Sequence, residues 1–451
     1  MVTNDHQQAV ALIERGQHDE ALTVVSGLLN ADHDDALGHF LMGRIHADAG
    51  RFGMAHAFFA RCVELKPDRH EAWNNLGMCL ESMHRNGMAR QAFEKALSLA
   101  KKPGYLANLG LTWLHDGDPH RALRFTSRAL EMDSTCKAAA ITSGFAHLQL
   151  GAWPEGWKGF AQALGGKFRA RIDYGLPEWA GERDAHVIVY GEQGLGDEIL
   201  YGSCIPDVLA TARAVTIDCD ERLAKVFAAS FPHASVHGTR RSEHKPWLDN
   251  QTHAIAIGDL PRLFRPSPVA CPGTPYLVAD PDLRAMYDAL QARHDGGGAR
   301  RIGIAWSAGT RATAGQRRTF EPELFRPLTE HAALFSLQYE RPEPDDVLFF
   351  HFHPATGRGA DFAQTLAFID SLDAVIGVDT TACHAAGALG KPVMVLVHDR
   401  CNWIHAPYQG DRSSWYQSMR LFRQEPGEAW PATFKRLYAS DALAQFIKEI
   451  P

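Results

Sequence analysis

Small residues recur at a fixed interval through the first third of this 451-residue chain, and that interval constrains its fold more than any other feature. Gly43, Gly77, Gly110 and Gly144 stand 34, 33 and 34 residues apart, and Ala21, Ala55, Ala89 and Ala122 stand 34, 34 and 33 apart. Gly16, Gly50, Gly117 and Gly151 fall on the same frame, with His84 where a glycine is missing. Units therefore begin near residues 2, 36, 70, 103 and 137. In the unit from 70, Trp73, Leu76 and Leu80 share one face of a first helix, and Ala89, Phe93 and Ala96 face it from a second. Gly77 and Ala89 let those helices approach closely, and Pro67 closes the preceding unit where a new helix must start. One such unit cannot bury its own apolar face, so the units must stack into a curved solenoid.

The pattern resembles the tetratricopeptide repeat, over about five units. That resemblance implies a concave wall that accepts an extended peptide or another protein. Asn75 and Asn108 occupy equivalent first-helix positions; they either bond a peptide backbone or tie neighbouring helices together.

After "WPEGWKGFAQALGG" the period fades, and "KFRARIDYGLPEWAGERDA" reads as a connector. From His186 onward, short β-rich runs alternate with helix-compatible stretches. The pattern predicts strands at 186–190, near 214–218 and at 253–257, then at 301–306, 334–338, 373–379 and 392–397. Gly296-Gly297-Gly298 marks a hinge between the two sets. Two strand–helix sets predict two doubly wound sheets facing a cleft, with ligands beyond the carboxyl ends of the strands. The expected domains are 1–165, 166–298 and 299–451.

Composition narrows the function. An apolar share of 45% and a charged share of 22% are those of a soluble globular chain. A net charge of −7 offers no general attraction for nucleic acid or an anionic membrane. No run of 18 apolar residues is present, so no membrane span is expected, and the start MVTNDHQQAV has neither a basic leader nor an apolar signal core. The expected location is cytoplasmic. Eight scattered cysteines form no C-x-x-C pair and read as reduced, packed thiols. His398, Cys401 and His405 lie close in sequence, but the spacing matches no strong zinc pattern and lacks a fourth ligand, so no metal is expected.

Three segments carry chemistry. In "VIVYGEQGLGDEIL" a strand opens into a glycine turn of G-x-x-G-x-G order. Asp197 and Glu198 stand where a phosphate loop needs Lys and Ser or Thr, and an anion there repels phosphate, which argues against a phosphate-loop hydrolase. Asp197 either takes a proton from an attacking hydroxyl or caps a helix, and the two roles are compatible. Gly194 and Gly196 would let an acceptor approach the backbone. In "DAVIGVDTTACHAAGALGKP", Thr380 and Thr381 open a helix that Gly390 and Pro392 close. Two hydroxyls and free N–H groups at a helix start form an anion site, with His384 one turn in as a further donor. The alternative is capping by Thr380 or Thr381 with His384 packed on the sheet. "AWSAGTRATAGQRRTF" carries Ser307 and Gly309 past a strand, then Arg317-Arg318, which either neutralise a leaving diphosphate or lie solvated.

Together these segments resemble a GT-B glycosyltransferase of two Rossmann-like domains, nearest the heptosyltransferase-like family 9 group fused to tetratricopeptide repeats. The resemblance spans roughly 186–435. "GLGDEIL" is similar to that family's first-strand loop, which implies Asp197 as catalytic base. "VDTTACHAAGALGKP" resembles the donor-phosphate loop, which implies Thr380, Thr381 and His384 near the diphosphate. Arg317 and Arg318 sit where the family has basic phosphate contacts, and "WYQSMRLFRQ" is similar to bacterial fusions of this kind. The resemblance implies inverting transfer from a nucleotide-sugar substrate, with no cofactor and no essential metal. Repeats joined to such an enzyme also resemble the O-linked N-acetylglucosamine transferases, which implies a protein acceptor recruited by the array, flagellin among the bacterial options. Two alternatives stay open: a glycan or lipid-linked acceptor, or an inactive binding scaffold.

Overall fold

The computed structural model describes residues 3–167, 169–295, 298–308, 315–338, 350 and 361–450. Gly296 and Gly297 of the expected hinge, and Gly309, lie outside the described residues. The chain divides into two compact units, Met1–His147 and Leu148–Pro451.

The first unit is a run of helices: α1 (Asn4–Glu14), α2 (His18–Ala31), α3 (Ala36–Asp48), α4 (Phe52–Leu65), α5 (His70–Ser82), α6 (Asn86–Leu99), α7 (Pro103–His115), α8 (Pro119–Met132) and α9 (Lys137–Gln149). The 34-residue period follows from how α3 meets α4 and α5 meets α6. A Cβ added at Gly43 would lie 2.7 Å from the Phe59 ring, and one at Gly77 would lie 2.6 Å from the Phe93 ring. Each phenylalanine thus lies flat on a backbone that has no side chain to offer, and Ala55 and Ala89 complete the contact as fully buried residues. The turns between helices also repeat. Gly16, Gly50 and Gly117 have φ of 73°, 69° and 79°, and His84 adopts φ 59° at the equivalent point. The frame therefore overrides the residue's own preference. Asn108 donates to Asn74 of the preceding repeat at 2.8 Å and so ties the two together, while Asn75 only accepts from Asn74 of its own helix at 3.4 Å.

The second unit holds two parallel sheets. The first has the order β3-β2-β1-β4, from β1 (His186–Tyr190), β2 (Ala214–Asp218), β3 (Ser235–His237) and β4 (His253–Ala256). The second has the order β6-β5-β7-β8-β9, from β5 (Arg301–Ala305), β6 (Ala333–Ser336), β7 (Ala374–Val378), β8 (Val393–Val397) and β9 (Met419–Arg423). Every pairing between these strands is parallel. Seven strands fall where the β-rich runs predict them. β3 is only three residues long, and β9, at a sheet edge, carries arginines at two of its five positions, so neither shows the apolar run of an interior strand. The helices are α10 (Trp153–Ala161), α11 (Leu195–Gly202), α12 (Ile205–Thr211), α13 (Ala224–Ser230), α14 (Leu260–Phe264), α15 (Pro281–Asp295), α16 (Phe362–Asp370), α17 (Thr381–Leu389), α18 (Trp430–Ala439) and α19 (Asp441–Glu449). Phe434, Leu437, Leu443 and Phe446 of the last two pack with Ile302, Ile304 and Ile376 into the core of the second sheet.

Helix α10 belongs to this unit, although it continues the helical stretch of the repeats. Trp153 and Trp157 are buried among Trp403 and Trp415, with ring centroids 5.2–6.4 Å apart in the contacts they make. The indole N–H of Trp157 donates to Arg265 O at 2.8 Å on the first-sheet side, and that of Trp153 donates to the Tyr408 hydroxyl at 3.0 Å on the second-sheet side. One short helix thus fastens to both sheets. A second strap is the segment 271–280, where Tyr276 N and Leu277 N donate to Ala388 O at 2.9 and 3.1 Å.

Candidate functional site

The turn between β1 and α11 resolves the acidic helix entry residue by residue. Gly194 is the N-cap, and Asp197 Oδ2 accepts from Gly194 N at 3.1 Å, so Asp197 folds back on the helix start. Glu198 turns the other way and is fully buried. Gly191 makes room for it: a Cβ there would lie 2.3 Å from the Glu198 carboxyl carbon. Glu198 Oε2 accepts from Asp220 N at 3.0 Å, and its Oε1 lies 2.8 Å from Arg240 Nη1. Arg240 also donates to Gln193 O at 2.8 Å and to Asp220 Oδ2 at 2.9 Å, which fixes the turn from below. Glu192 is held in the same manner. Its Oε1 accepts from Arg169 Nε and Nη2 at 3.0 and 2.9 Å, and Arg169 also pairs with Asp259 at 3.0 Å. Burial outweighs these cations: it pushes the Glu192 carboxyl up, and the Glu198 carboxyl up to about 8.

The β7–α17 connection provides the facing wall. Thr380 is the N-cap of α17, its Oγ1 accepting from Cys383 N at 3.3 Å. Among the described residues no partner takes Thr381 N or Ala382 N, so the first turn presents free donors at the positive end of the helix. Asp379, just before the cap, gathers two imidazole rings and a guanidinium. Its Oδ1 lies 3.2 Å from His384 Nε2 and 3.1 Å from His405 Nε2, and Arg318 Nη1 donates to its backbone O at 3.1 Å. Burial alone would raise the Asp379 carboxyl, but His405 and His384 together hold it well below the usual range. The other nitrogen of His384, Nδ1, lies 3.2 Å from the Tyr416 hydroxyl.

The two walls meet. A Cβ at Gly196 would lie 3.3 Å from Thr381 Oγ1 and 3.6 Å from His384 Cδ2. Asp197 is partly exposed beside this contact. Burial raises its carboxyl above the ordinary 3.8, Gly194 N–H and His384 act against that, Asp379 reinforces it, and Arg318 also acts against it. The structure thus brings Gly194, Gly196, Asp197, Thr380, Thr381, His384 and Arg318 to one place. Arg317 accepts through its backbone O from Trp430 Nε1 at 3.2 Å, which ties this stretch to α18. His405 joins the cluster through Asp379, while Cys401 donates its thiol to His405 O at 3.0 Å. Burial and the two arginines push His398 down to about 4. His405, Tyr416, Arg169 and Arg240 escape sequence reasoning as site residues, because the partners that bring each to the site stand 20 or more residues away, and Asp379 escapes it although His384, one of its partners, is only five residues on. Asp379 alone carries a local signal, as the last acid before a Thr-Thr helix start.

The arrangement defines a helical repeat array followed by an α/β unit of two parallel sheets with an acid and a helix start at their junction. The tetratricopeptide repeat family model matches residues 38–69 and 70–103, so the N-terminal region carries such repeats. Over the whole length the chain is similar to the protein FlbA of Caulobacter vibrioides, 25% identical over 509 aligned positions that cover 98% of this chain and 84% of that protein. Among solved structures, MamA is 21% identical and covers 34% of this chain and 91% of its own, with a TM-score of 0.31. The pilF protein of Pseudomonas aeruginosa is 18% identical over 36% of this chain and 75% of its own, with a TM-score of 0.33. No helix among the described residues is long and apolar enough to cross a membrane.

Proposed function

We propose that this chain is a GT-B glycosyltransferase that moves a sugar from a nucleotide-sugar donor to a protein acceptor held by its repeats. The observation that carries this reading is the approach of the Gly194–Asp197 turn to the first turn of α17, with Gly196 against Thr381. In the reaction, the acceptor oxygen attacks the anomeric carbon and its proton passes to Asp197. The bond from that carbon to the diphosphate breaks, and the departing electron pair stays on the nucleotide. A raised carboxyl pKa suits Asp197 to accept that proton. The free N–H groups of Thr381 and Ala382 would meet the developing negative charge without moving. Attack from the side opposite the leaving group gives inversion, and the helix start and Arg318 stand in for a metal. Tetratricopeptide repeats bind protein segments, which favours a polypeptide acceptor over a glycan or lipid-linked one.

Thermal-shift screening against UDP-, GDP-, ADP- and CMP-sugars tests the donor half. One class should raise the melting temperature, because a ligand at 100 times its Kd adds about 2.7 kcal/mol. Asp197→Asn should then lower transfer by about 10²- to 10⁴-fold while donor binding persists. Undiminished transfer by that variant would refute the base assignment. A binding scaffold is the second reading, supported by Asp197 bonding its own helix cap and by Asp379 engaging His384 and Arg318. Donor binding with no transfer by the wild type would favour it.

A further inference from the structure

The loop that brings His405 to Asp379 is held by a guanidinium that pairs with no acid. Residues 401–410, between β8 and β9, contain two single turns, Trp403–His405 and Pro407–Gln409. Asn402 caps the first, its Oδ1 accepting from Ile404 N at 3.0 Å, and Gln409 Nε2 donates to Ile404 O at 2.8 Å. Among the described residues no backbone N–H takes the carbonyls of His405 or Gly410, which close these turns. Arg423, the last residue of β9, takes them instead. Its Nη1 donates to His405 O at 2.6 Å, its Nη2 to Ala406 O at 3.0 Å and its Nε to Gly410 O at 3.0 Å. Glu428 is engaged by Arg436 at 2.8 Å, and Arg423 pairs with no carboxylate among the described residues. Burial pulls its pKa below the usual arginine value, and Cys401 acts against that.

A cation buried without a counter-ion is costly unless its N–H groups are engaged, and a planar fork can engage several carbonyls at once. On its other side the same loop meets the site, where His405 Nε2 lies 3.1 Å from Asp379 Oδ1. An ionised Asp379 can only accept, so Nε2 carries a proton whether the ring is neutral or charged. How far that side chain reaches depends on where its own backbone lies, and the His405 carbonyl is fixed by Arg423 and by the Cys401 thiol. We propose that Arg423 is a positioning residue: it grips the carbonyls of His405, Ala406 and Gly410 so that the His405 Nε2–H stays on Asp379. Held by His405, His384 and Arg318, Asp379 does not turn onto the free N–H groups of Thr381 and Ala382. Released from His405, it would compete there with a donor diphosphate, as an acid before a helix commonly caps it. That consequence rests on the transferase reading; the placement of His405 does not.

The test uses the full-length protein with ¹⁵N-labelled histidine, the His405 Nε2–H signal being identified by its loss in His405→Gln. In the wild type this proton should be protected from exchange with water. Arg423→Ala should open it to exchange, and guanidinium added well below denaturing concentrations should restore the protection by refilling the grip. Arg423→Lys keeps a positive charge but offers one nitrogen to carbonyls of separate residues, and should lose the protection as well. A freely exchanging proton in the wild type, protection unchanged in either variant, or a loss in Arg423→Ala that guanidinium does not reverse would overturn the proposal. Failure of both variants to fold would also overturn it, by assigning Arg423 to the fold at large. The nucleotide-sugar class that stabilises the wild type should bind Arg423→Ala about 10-fold more weakly, the worth of one charge-assisted hydrogen bond, and unchanged affinity would strike the consequence alone. Stabilisation of the wild type by none of the UDP-, GDP-, ADP- and CMP-sugars would sink the transferase reading and leave the placement of His405 standing.

Discussion

Replacing Glu198 with Gln should remove a stability loss that the wild type suffers as pH rises. Glu198 is fully buried beside Gly191, and burial lifts its carboxyl from the ordinary 4.5 to about 8 against the opposing pull of Arg240. A group that binds its proton more tightly in the folded state stabilises that state fully below the unfolded pKa. The contribution is then lost as pH climbs to the folded pKa. The window therefore runs from pH 4.5 to about 8. At about 1.36 kcal/mol for each tenfold change in proton affinity, the loss across the window amounts to roughly 5 kcal/mol. Glutamine has the size of the protonated acid and carries no charge to desolvate, so Glu198→Gln should escape this loss. Glu192, Asp197 and Asp259 are also raised by burial, but they are common to both proteins and cancel in the comparison. The assay is denaturant unfolding of the full-length pair from pH 4.5 to 9, followed by tryptophan fluorescence. Eight of the ten tryptophans lie beyond residue 147, so the signal reports the second unit. Wild-type stability relative to the variant should fall through the window and level off above it. A difference that stays flat, or that rises with pH, would show Glu198 ionised and paired with Arg240 in the native state, and would refute the reasoning.

Three further substitutions probe the scaffold. Gly77→Ala drives a methyl group into the Phe93 ring, and overpacking of this kind should cost about 1–3 kcal/mol by denaturant unfolding of the first unit. His84→Gly relieves a left-handed conformation that glycine adopts freely, and should raise stability by up to about 1 kcal/mol; a loss would mean that the imidazole's own contacts outweigh the strain. Trp157→Ala should cost about 3–5 kcal/mol in the second unit, because it empties a space shared with Trp153, Phe160 and Trp403 and leaves Arg265 O without its donor. Unfolding of the first unit should be unchanged by it.

The repeat frame and most of the strands are legible in sequence because each depends on neighbours close along the chain. A glycine 16 residues before a phenylalanine recurs at Gly43–Phe59 and Gly77–Phe93, where two short helices touch, and Val187-Ile188-Val189 can only be a buried strand or helix segment. The glycine turn before Asp197 and the Thr-Thr helix start are legible for the same local reason, down to the caps they form. Their partners are not. The 16-residue step from Gly77 is repeated along the chain, but the pairing of Glu198 with Arg240, of Glu192 with Arg169, and of Asp379 with His405 occurs once each, between elements that only the sheet order brings together. Sequence reading also ends the repeats at 165, and only packing reveals that α10, with Trp153 and Trp157, shares its core with residues 403 and 415. Local periodicity specifies how a segment folds. Burial against distant segments decides which charges are paired, which carboxyl keeps its proton, and which glycine faces the helix start at Thr381, because those energies do not exist until the strands and connections of each sheet have assembled and, for the glycine, until the two sheets have met.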